Sequence, residues 1–119
     1  MNVCLLLRFV IVEFLHYTTM KPALSELVNN ATPTLIDFTA AWCGPCQTLA
    51  PILKDVKKSI GDAVTIIKID VDANPRVAAQ FAVRSVPTLI LFKNGEVVWR
   101  GSGVMTHRDL LSTLQQHIS

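Results

Sequence analysis

Two cysteines separated by two residues, Cys43 and Cys46, are the side chains of this sequence best suited to chemistry. They stand in the stretch Trp-Cys-Gly-Pro-Cys, where an apolar run changes into a run with helical periodicity. The chain has three cysteines in 119 residues, the third being Cys4, and this is too few for a secreted scaffold held together by disulfides. The close pair therefore indicates redox or metal chemistry.

The apolar positions that follow Cys43 predict a helix over residues 43–60, so Cys43 lies where that helix begins. Unpaired backbone N–H groups and the helix dipole favour an anion there and lower the pKa of a thiol. Cys43 is therefore predicted to be the nucleophile that attacks a disulfide. Cys46 lies on the apolar face of the helix, which predicts that it is the more buried thiol and that it resolves the mixed disulfide.

The neighbours of the pair have roles that follow from their shapes. Pro45 fixes the backbone between the thiols and removes one donor, and Gly44 allows a close approach to the sulfur. Trp42 is open to two interpretations, a flat apolar surface that faces a substrate or an aromatic side chain packed in the interior.

An acidic residue interrupts a strand predicted over residues 34–40, which is otherwise apolar or β-branched. Burial raises the pKa of a carboxyl group, so Asp37 is a candidate general base that takes the proton of Cys46. The alternative is a structural pair with Lys68, which lies in a second predicted buried strand over residues 63–70. Both roles are compatible, because Lys68 can meet Asp37 across the sheet.

Other uses of a cysteine pair lack their required partners. A structural zinc site needs four ligands, and the sequence has no second Cys-x-x-Cys and no His pair. Cys4 and His16 could join such a site only by accident of folding. A c-type haem needs His after the second cysteine, where Gln47 stands. A Cys–His hydrolase needs a positioned His, but His107 and His117 are predicted to lie on the surface. We therefore expect no metal site.

Hydrophobic periodicity along the chain alternates between strands and helices. Strand–helix–strand units imply parallel neighbours, and an Asn-Gly turn adds antiparallel strands. The expected fold is α/β, a mixed central β-sheet with helices on both faces. The predicted strands are 14–19, 34–40, 63–70, 88–92 and 96–100, and the predicted helices begin at Pro22, Cys43, Pro75 and after Thr106.

The composition is that of one compact domain, with 50% hydrophobic and 17% charged residues. The net charge is +2, and Lys57-Lys58 is the only adjacent basic pair, so we expect no nucleic-acid partner.

The first residues form an apolar stretch that Arg8 and Glu13 interrupt. The stretch is shorter than a membrane span and lacks the charge order and cleavage site of a signal peptide. We therefore divide the chain into an N-terminal hydrophobic arm, 1–13, and a domain, 14–119. The alternatives for residues 1–19 are a targeting or anchoring segment and an extension that precedes the true start.

Several motifs together resemble the thioredoxin family, in particular a classical small thioredoxin with a Trp-Cys-Gly-Pro-Cys active site. The five-residue motif is followed about forty residues later by Val-Pro-Thr, a combination far more specific than two cysteines alone. The matching residues are Asp37-Phe38, Trp42 to Cys46, Ala50-Pro51, Lys68 to Asp70, Asn74-Pro75, Arg84 to Thr88, Phe92 to Gly95 and Gly103.

The resemblance implies a thioredoxin fold in which Pro87 is cis and lies beside the disulfide. It also implies that the backbone of Val86 pairs with an extended substrate segment, within an apolar docking surface that includes Gly44, Gly103 and Val104. The family works as general protein-disulfide reductases with no bound cofactor, which NADPH reduces through a flavin-dependent thioredoxin reductase. For this chain we expect a cytoplasmic monomer. We accordingly expect a redox-active Cys43–Cys46 pair in this chain and no membrane partner.

Two residues depart from the family pattern. Thr39 replaces an aromatic residue, and Gln47 replaces a Lys or Arg after the second cysteine. Two alternative functions stay open at this point. One is the same chemistry at a membrane or outside the cytoplasm, through residues 1–19. The other is a binding module that uses the apolar surface without redox turnover.

Overall fold

The structure is a computed structural model, and it describes residues 24–118. Its helices and strands alternate along the chain much as their periodicity predicts. In chain order they are α1 Leu24–Val28, β1 Thr34–Thr39, α2 Gly44–Ile60, a 3-10 turn Gly61–Ala63, β2 Thr65–Asp70, α3 Pro75–Gln80, β3 Thr88–Lys93, β4 Glu96–Ser102 and α4 His107–Gln115.

The described strands form one mixed sheet in the order β2-β1-β3-β4. β1 runs parallel to β2 and antiparallel to β3, and β3 pairs antiparallel with β4. The hairpin between β3 and β4 turns at Asn94 and Gly95, whose φ angles are 54° and 81°. Asn and Gly tolerate such left-handed conformations, so they favour this turn. The predicted mixed sheet is confirmed.

Helices cover both faces of the sheet. Successive side chains of β1 point to opposite faces, so β1 contributes to one core cluster on each face. Leu35 and its neighbours on β3 pack against α2 and α4, whereas Ile36 and Phe38 pack against α1 and α3. The first cluster contains Leu35, Leu49, Leu53, Val56, Val64, Leu89, Leu91, Leu110 and Leu114. The second contains Val28, Ile36, Phe38, Ile90 and Phe92, with Val77 and Phe81 packed against it.

Helix α2 connects the centre of the sheet to the cysteine pair. Cys43 is its N-cap in an extended conformation, and Pro45 stands in the first turn, where a missing N–H costs no hydrogen bond. Leu49, Leu53 and Val56 form the buried stripe. The helix ends at Gly61, whose φ of 60° is easily adopted by glycine.

The prediction that residues 63–70 form a strand buried like β1 is wrong. β2 is only partly buried and Lys68 is exposed, because β2 pairs with β1 alone among the described strands. The predicted strand 14–19, the start of the helix at Pro22 and the hydrophobic arm 1–13 lie outside the described residues. Within residues 24–118, no helix is long and apolar enough to span a membrane.

Candidate active site

Cys43 and Cys46 form a disulfide at the N-terminus of α2, with Cα atoms 5.3 Å apart. The backbone N–H of Cys46 donates a hydrogen bond to the sulfur of Cys43 over 3.1 Å. An N-cap side chain normally accepts such a bond through oxygen, and here the sulfur takes that place. After reduction, the same donor and the helix dipole favour a thiolate on Cys43.

Both sulfur-bearing residues are buried, and their order of burial differs from the prediction. Cys43 is 3% exposed and Cys46 is 6% exposed, so the expectation that Cys46 is the more buried thiol is wrong for the disulfide form. Val86 covers Cys43, with its carbonyl oxygen 3.6 Å from the sulfur. Exposure therefore does not tell the nucleophilic cysteine from the resolving one. The position of Cys43 at the N-cap of α2 distinguishes it from Cys46.

The connection between α3 and β3 brings Val86 and Pro87 to the disulfide. The Val86–Pro87 peptide bond is cis, as the resemblance implies. The carbonyl of Pro87 accepts a hydrogen bond from the N–H of Gly103 over 2.9 Å. Gly103, with a φ of 84°, thus lies next to Pro87.

Trp42 lies on the surface rather than in the core. Its side chain is 71% exposed, so the interpretation as a packed interior aromatic is wrong. The indole Nε1 donates a hydrogen bond to Oδ2 of Asp72 over 2.8 Å, which fixes the ring. Beside it lies a small cavity of about 120 Å³ whose walls are Trp42, Val71, Val83, Arg84, Ser85 and Val86.

Several of the residues predicted to contact a substrate present apolar side chains or bare backbone to solvent, and we call this predicted set the docking surface. Trp42 and Val104 supply its large exposed side chains, Val104 being 44% exposed. Gly44 and Gly103 add backbone with free space above it, because a Cβ placed on either would meet no atom within 4 Å. The docking surface is thus the set of residues predicted from the sequence to contact a substrate: Trp42, Gly44, Pro45, Val86, Gly103 and Val104.

Asp37 lies beneath α2, on β1, and is only 3% exposed. Lys68 is its partner in the parallel register of β1 and β2. Burial raises the pKa of the Asp37 carboxyl, and the positive charge of Lys68 lowers it to a smaller extent. Oδ1 of Asp37 has no hydrogen-bond partner among residues 24–118. Asp37 is thus a buried carboxyl group with a raised pKa, one oxygen of which lacks a hydrogen-bond partner in the described part of the chain.

Two neighbouring cavities lie beside α2, one lined by Asp37 and the other by Cys46. One, of about 220 Å³, is lined by Asp37, Ala50, Leu53, Lys54, Lys57, Ile66 and Lys68. The other, of about 270 Å³, is lined by Thr39, Ala40, Ala41, Cys46, Gln47, Ala50, Lys68 and Asp70. Ala50 and Lys68 border both, so the two cavities are adjacent.

The two residues that depart from the family pattern lie at the second of these cavities. Thr39 is partly buried there. Gln47 is exposed, and its Nε2 donates a long hydrogen bond of 3.5 Å to the carbonyl of Ala41. Neither side chain contributes a charge to the neighbourhood of Cys46.

Sequence reasoning missed Asp72 and Arg100. Asp72 follows β2, and its partner Trp42 follows the parallel strand β1, so both lie at the same edge of the sheet. In α/β sheets, functional residues gather at the carboxyl ends of parallel strands, and this rule could have pointed to Asp72. Arg100 has no such signal, because its contacts to the carbonyls of Phe81 and Ala82 depend on how α3 ends.

Comparison with known proteins agrees with this geometry. The family model described as Thioredoxin matches residues 16–116, most of the chain. The chain belongs to the thioredoxin family. It is 40% identical to the thioredoxin of Pyropia yezoensis over 94 residues, which is 79% of this chain and 88% of that protein. It is 45% identical to the thioredoxin of Haemophilus influenzae, with the same coverage.

Solved thioredoxin structures also match the fold. A mutant thioredoxin from Halobacterium salinarum superposes with a TM-score of 0.74 at 34% identity, covering 81% of this chain and 83% of that one. The thioredoxin of Malassezia sympodialis gives a TM-score of 0.73 at 30% identity, covering 80% and 83%.

Family membership and the disulfide identify the chemistry. The chain is a thioredoxin-type thiol–disulfide oxidoreductase with Cys43 and Cys46 as its redox-active pair. The two sulfurs carry the electrons, so the reaction needs no bound cofactor. Within residues 24–118, no three His, Cys, Asp or Glu side chains are grouped so as to hold a metal ion.

Proposed function

We propose that this thioredoxin-family protein reduces disulfides in other proteins, with Cys43 as the nucleophile. The thiolate of Cys43 attacks one sulfur of the substrate disulfide, and the other substrate sulfur leaves as a thiolate. The thiolate of Cys46 then attacks Cys43, which forms the internal disulfide and releases the second substrate thiol. The single observation that carries this assignment is the hydrogen bond from the N–H of Cys46 to the sulfur of Cys43.

Asp37 acts as the general base in the second step. Its raised pKa makes the carboxylate a stronger base than an ordinary aspartate, and its position beside Ala50 and Leu53 of α2 supports a role toward the resolving cysteine. Lys68 moderates the pKa from the neighbouring strand. The shared cavity walls at Ala50 and Lys68 support transfer through water rather than by direct contact.

Substrate segments bind across the docking surface. The backbone of Val86 pairs with an extended segment of the substrate, next to Pro87, and so brings the target disulfide to Cys43. The contact of the Val86 carbonyl with the Cys43 sulfur supports this arrangement. Trp42 and Val104 offer exposed apolar side chains to such a segment.

Thioredoxin reductase returns the disulfide to the dithiol with electrons from NADPH. We place the protein in the cytoplasm as a monomer, with residues 14–119 as the thioredoxin domain and residues 1–13 as an arm outside it. These assignments rest on the family, whose members use disulfide substrates and a reductase in this way.

An insulin assay tests the function. The wild-type chain is expected to accelerate insulin reduction by dithiothreitol, and to do so with NADPH when thioredoxin reductase is the only electron source. The Cys43→Ser/Cys46→Ser double variant is the matched control and should match the background rate. A wild-type rate at background would overturn the proposal in favour of a non-redox binding module. A double variant that retains the activity would show that Cys43 and Cys46 are not the reducing pair.

A further inference from the structure

Helix α3 ends in a loop motif that normally uses glycine. The N–H of Ala82 donates to the carbonyl of Ala79 over 3.0 Å, and the N–H of Val83 donates to that of Ala78 over 2.8 Å. This is a Schellman motif, which requires a left-handed residue just after the helix. Ala82 takes that place with a φ of 51°, a conformation that its Cβ disfavours.

The same motif leaves two carbonyls to be satisfied at the helix exit. Arg100, on β4, donates to both: Nη1 to the carbonyl of Phe81, and Nη2 to the carbonyl of Ala82 over 2.9 Å. A guanidinium offers two parallel N–H donors in a rigid plane, so it can hold two adjacent carbonyls in one orientation. Arg100 therefore compensates for the lack of glycine at the left-handed position.

The segment that Arg100 holds leads directly to the active site. From Ala82 the chain continues through Val83 and Arg84, which line the cavity beside Trp42. It then reaches Val86, whose carbonyl lies 3.6 Å from the Cys43 sulfur. Arg100 itself contacts neither cysteine, because its partners are the two carbonyls at the other end of this segment.

We propose that Arg100 is a positioning residue for protein substrates: it fixes the connection between α3 and β3 in the conformation that presents Val86 to an extended chain. This rests on the proposed docking of substrates at Val86. A loosened connection has to be ordered again each time a substrate segment binds, and that ordering cost weakens binding. A small disulfide that reaches Cys43 without pairing to Val86 does not meet this cost.

The test compares a protein substrate with a small disulfide, using the full chain. Arg100→Ala is expected to raise the KM for insulin about fivefold and to change kcat by less than about twofold. Its rate constant with 5,5′-dithiobis(2-nitrobenzoate) should change by less than about twofold, because that probe bypasses the docking step. Arg108→Ala, an exposed arginine on α4, is the matched control and should alter neither quantity.

Two further variants keep the test decisive if Arg100→Ala folds poorly. Arg100→Lys retains the charge but cannot hold two carbonyls with one planar group, so its KM should lie between those of wild type and Arg100→Ala. Adding Ala82→Gly to Arg100→Ala should move KM back toward wild type, because glycine adopts the left-handed conformation readily. Failure of this rescue would overturn the role of Arg100 through Ala82.

Hydrogen exchange and the comparison of the two substrates together separate the positioning role of Arg100 from the proposed function. Arg100→Ala should accelerate exchange of the Val83 amide, which bonds to Ala78 in the wild type. An unchanged Val83 exchange rate, an unchanged KM, or an equal loss of rate with insulin and with the small disulfide would overturn the positioning role. A wild-type protein that reacts with the small disulfide but never with insulin would overturn the proposed function instead.

Discussion

Asp37 and Lys68 are paired in register on adjacent parallel strands, but they lie in very different environments. The carboxyl of Asp37 is almost fully buried, whereas Lys68 is exposed to solvent. The desolvation of Asp37 outweighs the attraction of Lys68, so the pKa of Asp37 is raised. A purely structural ion pair with Lys68 would lower the pKa of Asp37, so the raised pKa does not fit that role.

The raised pKa predicts how stability depends on pH. Between the ordinary Asp value of 3.8 and the higher value in the folded protein, the folded state binds more protons than the unfolded state. Stability from this group is fully present below pH 3.8 and is lost as the pH rises through the folded pKa. Asp37→Asn removes this loss, so its free energy of unfolding at pH 7 should exceed that of wild type by roughly 1 kcal/mol or more.

Guanidinium chloride unfolding of the oxidised proteins at a series of pH values checks this expectation. The gain from Asp37→Asn should shrink as the pH falls toward 3.8. Asp55→Asn, an exposed substitution on α2, should change the free energy of unfolding by less than roughly 0.5 kcal/mol. Equal stability of Asp37→Asn and wild type at pH 7 would mean that burial does not destabilise the charged carboxylate of Asp37.

The same substitution should slow turnover. Asn cannot accept the proton of Cys46, so the second step, in which Cys46 displaces the substrate from Cys43, should be slower by roughly tenfold or more at pH 7. Rapid mixing of the reduced protein with a protein disulfide, followed by acid quenching and mass measurement, reports the lifetime of the mixed disulfide. If that lifetime is unchanged, Asp37 has a structural role only.

The two cysteines should give opposite results when each is changed to serine. Cys43→Ser is expected to lose activity with insulin, because the nucleophile at the helix N-cap is gone. Cys46→Ser should instead accumulate a mixed disulfide between Cys43 and the substrate, since nothing resolves it. Mass spectrometry without reductant identifies the trapped species. A Cys43→Ser variant that traps substrate through Cys46 would reverse the assignment.

The sequence sufficed for the local chemistry but not for accessibility. The helix start at Cys43 and the isolation of Asp37 in a β-branched run could be read directly, because they depend on short-range pattern. The burial of Cys43 beneath Val86 could not, since it depends on a connection more than forty residues away in the sequence. For the same reason β2 looked buried, although its apolar residues sit at the margin of the described sheet.

Trp42 shows how a polar partner decides the role of an aromatic residue. Its type and position allowed either an interior or a surface ring, and the hydrogen bond to Asp72 fixes it on the surface. That partner stands thirty residues later, after a different strand. Pairings between separate strand ends follow from topology, so they become predictable only when the strand order is known.

The fixed indole leads to a prediction about substrate binding. Trp42→Ala removes the large apolar side chain of the docking surface and should raise the KM for insulin by about tenfold. Asp72→Ala keeps the ring but frees it, so a smaller rise of about twofold to threefold is expected. Steady-state kinetics with dithiothreitol as reductant measure both. A larger effect for Asp72→Ala than for Trp42→Ala would argue against the indole as the binding group.

A steric prediction concerns β4, where Trp99 folds over Gly101. A Cβ at position 101 would lie 2.6 Å from the Trp99 ring, closer than atoms can approach. Trp99 packs against the core cluster of α2 and α4, so the ring cannot move away freely. Gly101→Ala should therefore lower the free energy of unfolding by about 1–3 kcal/mol. Gly44→Ala, which meets no atom within 4 Å, is the matched control and should cost much less.

Fluorescence reports whether the Trp99 ring moves when a methyl group is added at position 101. The chain has two tryptophans, so a Trp42→Phe background leaves Trp99 as the only one. Gly101→Ala in that background should shift the Trp99 emission to longer wavelength, because the displaced ring meets more water. Gly44→Ala should leave the emission unchanged. A destabilised Gly101→Ala protein with unaltered Trp99 emission would mean that the backbone of β4, rather than the ring, absorbs the added methyl group.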